Sequence, residues 1–96
     1  MSVTVTIQLP VQPAKVDELV ELFKKVLPDT RSYKGCESVV LHQSQDDAVL
    51  FLYEQWAARS DQEAYMAWRT ETGLIAQIVD KLAGAPTFGF YDTVDG

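Results

Sequence analysis

Six side chains of this chain have the chemistry to act on a small molecule: His42, Tyr53, Trp56, Tyr65, Trp68 and Arg69. His42 is the only histidine, the side-chain type most often used to move a proton. Trp56, Tyr65 and Trp68, with Phe51 and Tyr53 upstream, offer faces on which a flat aromatic molecule can stack. The guanidinium of Arg69 can steady a developing negative oxygen. Each has a plainer alternative. His42 can be a sheet residue hydrogen-bonded near a turn, and Trp56 a core or interface aromatic. Tyr65 and Trp68, three apart on one helix face, can simply close a hydrophobic layer, and Arg69 can pair at the surface with Glu63 or Glu71. Cys36 reads as a small buried hydrophobe at a strand start.

The stretch that must position most of them runs from Gly35 to Trp56. Its period of two predicts a β-hairpin: a strand over about Cys36–Ser44, a polar turn at Gln45-Asp46-Asp47, and a strand over about Val49–Trp56. With the turn centred on Asp46-Asp47, Ser44 faces Val49, His42 faces Phe51 and Val40 faces Tyr53 on one side. Leu41 then faces Leu52 and Glu37 faces Trp56 on the other. Both faces of the second strand are apolar for most of their length: Val49, Phe51 and Tyr53 on one, Leu50, Leu52 and Trp56 on the other. A strand with one wet face should alternate apolar and polar, so something must cover both sides.

Around the hairpin the pattern is regular. Ser2–Leu9 alternates strictly, with Val3, Val5, Ile7 and Leu9 on one face of a strand. Pro13 suits the first turn of a helix whose stripe is Val16, Leu19, Val20, Phe23, Val26 and Leu27. Charged residues fill its other side, with Glu21 and Lys25 at ion-pair spacing, and Pro28 should kink it or restart it around Asp29. Ser60 and Glu63 match a capping box before a short helix through Arg69, which Thr72-Gly73 breaks or bends. Leu74, Ile75, Ile78, Val79 and Leu82 repeat the helical spacing up to Gly84 and Pro86, and a last strand spans about Thr87–Thr93.

The order β-α-β-β-α-(α)-β predicts an α+β, ferredoxin-like split βαβ fold: one domain over 1–96, a four-stranded antiparallel sheet with helices on one face. Helices cover only one side, so a second copy across a two-fold axis is expected on the other, making a homodimer. A net charge of -6 and unclustered Lys and Arg argue against nucleic acid or an anionic membrane as partner. No apolar run approaches the roughly 20 residues that span a bilayer, and the N-terminus lacks a signal-peptide core. A single cysteine makes no internal disulfide, which fits a cytoplasmic location. There is no Cys/His cluster, phosphate loop or nucleophile elbow, so neither a metal nor another cofactor is expected.

The Gly35-Cys36 entry, Leu41-His42-Gln43-Ser44, the Asp46-Asp47 turn, Tyr53-Glu54-Gln55-Trp56 and the following Glu63-Ala64 resemble the antibiotic biosynthesis monooxygenase (ABM) domain. The resemblance covers nearly the whole chain in element order and is most specific between Gly35 and Trp56. It implies a dimeric α+β barrel. The family's activities include cofactor-independent oxidation of anthrone-type polyketides, quinol oxidation, haem degradation and an isomerisation, so the resemblance carries fold more strongly than reaction. Where many members have histidines on the second helix, this chain has Trp68 and Gly73, and with His42 on a strand no axial haem ligand is expected. The function implied is a cofactor-independent monooxygenase taking a small aromatic quinol or polyketide-like substrate. In it His42, Tyr65, Trp68 and Arg69 would be catalytic, and Phe51, Tyr53 and Trp56 substrate-binding. The alternative is a member of the same fold without oxygenase activity: a small-ligand binding protein, an isomerase or a non-catalytic dimeric module.

Overall fold

Alternation in the first strand and a helical stripe in the second element set the frame. The computed structural model describes residues 2–96. It contains β1 (Val3–Pro10), α1 (Val16–Ser32), β2 (Cys36–Gln43), β3 (Val49–Trp56), α2 (Arg59–Glu71), α3 (Leu74–Asp80) and β4 (Thr87–Asp92), with a 3-10 turn over Pro13–Lys15 leading into α1. The strands form one sheet in the order β2-β3-β1-β4, every neighbouring pair antiparallel. This is the α+β, ferredoxin-like arrangement, and the sheet is open rather than closed into a barrel.

One face carries the core. Val5, Ile7 and Leu9 of β1 stand in register with Glu54, Leu52 and Leu50 of β3, and Val5 and Ile7 with Phe90 and Phe88 of β4. Against them α1 packs Val16, Leu19, Phe23 and Leu27, all buried. Each fully buried aliphatic side chain such as Leu19 contributes about 1.5–3 kcal/mol of hydrophobic transfer energy. The opposite face carries Thr4, Thr6, Gln8, Val40, His42, Phe51, Tyr53 and Tyr91, among which Gln8, Val40, His42, Tyr53 and Tyr91 are exposed.

The hairpin register places His42 on Phe51, Val40 on Tyr53 and Leu41 on Leu52. Ser44 N–H donates to the Val49 carbonyl, and Ser44 Oγ accepts from the Asp46 and Asp47 amides to shape the turn. Glu37 does not face Trp56: the register shifts between Cys36 and Ser38, so Cys36 pairs with Trp56 and Glu37 sits in the bulge, exposed. Gly35 enters β2 at φ +88, a left-handed conformation that glycine adopts without steric cost.

Three local expectations are corrected. α1 runs through Pro28 to Ser32 without restarting at Asp29; the proline is on the exposed side of the helix, where a carbonyl left without its N–H partner can be hydrated. The capping box does not form: α2 starts at Arg59 after an Ala58 N-cap, so Ser60 lies inside the first turn and makes no cap. On α1, Glu21 pairs with Lys24 at 3.5 Å in place of Lys25.

Candidate functional site

Between the sheet and the helices lies a cavity of about 80 Å³. Its walls are almost wholly apolar: Ile7, Leu9 and Leu52 from the sheet, Phe23 and Leu27 from α1, Leu74, Ile75 and Ile78 from α3. Val79 and Phe88, each about half exposed, sit on its rim. Among the described residues, Thr30, Glu54, Tyr65 and Arg69 are its only polar wall residues.

Arg69 reaches this wall because Gln62, Tyr65 and Arg69, at i, i+3 and i+7, form the inward stripe of α2. Its Nε donates to Tyr65 Oη at 2.9 Å and its Nη2 to the Val26 carbonyl at 2.8 Å, with a longer contact to Thr30 Oγ1 at 3.3 Å. Tyr65 Oη and Thr30 Oγ1 share a hydrogen bond at 2.5 Å. The guanidinium lies 4.4 Å from the Trp68 ring centroid and 5.3 Å from that of Tyr65. Arg69 is 6% exposed and forms no ion pair with any described acid. The surface pairing with Glu63 or Glu71 does not occur; Glu63 pairs with Arg59 at 3.4 Å.

Among the described residues Glu54 is the other buried charge-bearing group, 3% exposed on the core face of β3. Its Oε1 accepts from Trp56 Nε1 at 2.8 Å, and its Oε2 takes no side-chain hydrogen bond among the described residues. Burial holds its carboxyl above the usual carboxylate value of 4.5, and the indole N–H offsets this in part. The same burial effect, followed by the Glu54 charge, pushes the half-buried Cys36 thiol up from 9.0.

A cluster of four rings backs the polar end. Tyr33 stacks on Trp68 with centroids 5.4 Å apart and meets Tyr65 edge-on at 5.2 Å. Trp56 lies 5.3 Å from Tyr65. These packed rings hold Tyr65 and Arg69 in fixed orientations.

A model of the antibiotic biosynthesis monooxygenase family matches residues 2–76, most of the chain. The chain belongs to the antibiotic biosynthesis monooxygenase family. None of the curated proteins matches it. Among solved structures, an antibiotic biosynthesis monooxygenase superposes with a TM-score of 0.87 at 22% identity, covering 97% of this chain and 99% of that one. A monooxygenase of Streptomyces coelicolor, solved in complex with nanaomycin D, gives 0.84 at 23%, covering 99% and 89%. A Nitrosomonas europaea protein of unknown function gives 0.82 at 13%, covering 99% and 91%. At these identities the likeness establishes the fold.

In this member of the ABM family the expected site residues divide between the two faces of the sheet. Tyr65 and Arg69 line the cavity, with Trp56 and Trp68 behind them in the ring cluster. His42, Phe51 and Tyr53 lie on the open face; His42 is exposed, tilted on Phe51 at 6.2 Å. Thr30, Tyr33 and Glu54 were not singled out by sequence reasoning. For Glu54 a signal exists: it alternates with Leu50, Leu52 and Trp56, a lone carboxylate in an otherwise apolar strand face. Thr30 and Tyr33 lie at the end of an amphipathic helix and have no such signature.

Proposed function

We propose that this ABM-family chain is a cofactor-independent monooxygenase for a small aromatic quinol or polyketide-like molecule. The observation that carries the reading is Arg69: a buried guanidinium without a carboxylate partner among the described residues, at the polar end of an apolar cavity. An unpaired buried cation costs several kcal/mol, so its retention favours a role toward an anion that arrives with the substrate. The phenolate of an aromatic substrate meets that need. Once ionised, such a substrate supplies the electrons that reduce dioxygen; one oxygen atom stays in the product as a carbonyl and the other leaves as water. The protein's part is to stabilise the phenolate, orient the ring and exclude bulk water.

The cavity of about 80 Å³ is below the roughly 300 Å³ of ordinary ligand pockets, so a ring enters only when a wall moves. The short α3, which supplies four wall residues, is the element to move. The small volume also favours a second reading, a binding protein or isomerase for a ligand of few atoms. The exposed Val40, Tyr53 and Tyr91 on the uncovered sheet face support a homodimer joined through that face.

The test is dioxygen uptake with a panel of hydroquinones and anthrones, comparing wild type with Arg69→Leu and His42→Ala. Wild-type turnover that falls about 100-fold in Arg69→Leu is expected, as for loss of an oxyanion donor. Turnover lost in His42→Ala but kept in Arg69→Leu moves the site to the open face. No uptake on any substrate removes the oxygenase reading in favour of the second.

A further inference from the structure

We infer that Glu54 is the proton acceptor of this site, taking the hydroxyl proton of a phenol or enol whose oxygen is held between Glu54 and the Arg69–Tyr65 pair. The inference rests on the cavity reading above and adds to it the group that ionises the substrate. Two buried groups of opposite charge type line one cavity, yet they form no ion pair with each other. Each is instead held by its own neighbours: Glu54 by the Trp56 indole, Arg69 by Tyr65, Thr30 and the Val26 carbonyl. Such fixed separation suits a hydroxyl inserted between an acceptor and a cation.

The Glu54 carboxyl has one oxygen committed and one uncommitted. Oε1 accepts from the indole, which fixes the plane of the group, and Oε2 is left to take a proton. In the step, the substrate O–H bond breaks and its electron pair stays on the substrate oxygen. The proton forms a new O–H bond at Oε2. The carboxylate becomes a neutral acid, the better form for a buried group, and the new negative charge passes to the oxygen nearest Arg69. Burial raises the Glu54 carboxyl above its usual value, which favours the uptake of a proton there. The titratable groups facing it are Tyr65 and Arg69 from α2 across the cavity and Cys36 from β2; α1 presents only Phe23, Val26, Leu27 and Thr30 to the cavity. His42, on the other side of the sheet, does not share this cavity.

The experiment uses 4-nitrophenol, whose anion is yellow and whose neutral form is colourless, at a pH below its own pKa. Wild type should bind it with appearance of the phenolate band. Glu54→Gln, which keeps an acceptor for the Trp56 indole, should bind it with similar affinity and lose that band. Should this variant fail to fold, infrared difference spectra of the wild type serve: binding should raise a protonated-carboxyl stretch. A phenolate band that survives in Glu54→Gln, or bound probe that stays neutral in the wild type, overturns the assignment and leaves the cavity reading standing. No binding by the wild type overturns the cavity reading and this assignment with it.

Discussion

Glu54 and Arg69 show how a few buried polar residues define a site that hydrophobic patterning passes over. A carboxyl raised by burial also makes a stability prediction. Its neutral form is favoured in the folded chain, so its contribution is intact below the usual value of 4.5 and is lost as pH rises through the higher folded value. Glu54→Gln removes this dependence. In urea titrations across pH, wild type should therefore fall progressively behind Glu54→Gln as pH rises from about 4.5. A gap that does not change with pH removes burial as the cause. Much of this site was legible in the residues alone. Tyr65, Trp68 and Arg69 stand out as reactive or stacking types at helical spacing, and they do meet around one polar end. Whether Arg69 pointed to solvent or inward was not legible, because α2 is polar enough for either face to be buried.

At the scale of elements, two glycines with nearly equal backbone angles separate strain from crowding. Gly73, at φ +85, joins α2 to α3, and a Cβ added there meets nothing within 4 Å. Gly73→Ala should cost about 1–2 kcal/mol, the left-handed penalty alone. Gly35, at φ +88, joins α1 to β2, and its added Cβ would run into the Cβ and carboxyl of Asp61 on α2. Gly35→Ala should add about 1–3 kcal/mol of overpacking to the same penalty. Chemical denaturation of the two variants measures the difference; equal losses would mean that Asp61 yields freely. The hairpin register was readable from alternation and turn chemistry, down to the His42–Phe51 pair. The bulge was not, since only Cys36 lies beyond it in the strand, too little sequence for the shift in alternation to show.

For the whole molecule the open sheet face is the feature that assembly must answer. Val40, Tyr53 and Tyr91 are exposed there beside Val49 and Phe51, on a face whose remaining residues are mainly Thr, Ser and Gln. Light scattering at micromolar concentration should give twice the chain mass. Tyr53→Glu, which places a charge in the middle of that face, should give the single mass with unchanged circular dichroism. A wild type of single mass would leave the apolar side of β3 to another partner.

The sequence by itself determined the element order, the sheet type and most strand partners, because periods of two and 3.6 and the turn residues act locally. It also marked which side chains have chemistry. Only the tertiary structure decided which of them meet. Alternation sent His42, Phe51 and Tyr53 to one side of the sheet and Glu54 and Trp56 to the other, and α2 turned Tyr65 and Arg69 toward the latter. The face that receives helices is fixed by packing between distant segments, and with it the choice of Glu54 over His42 as the buried titratable group.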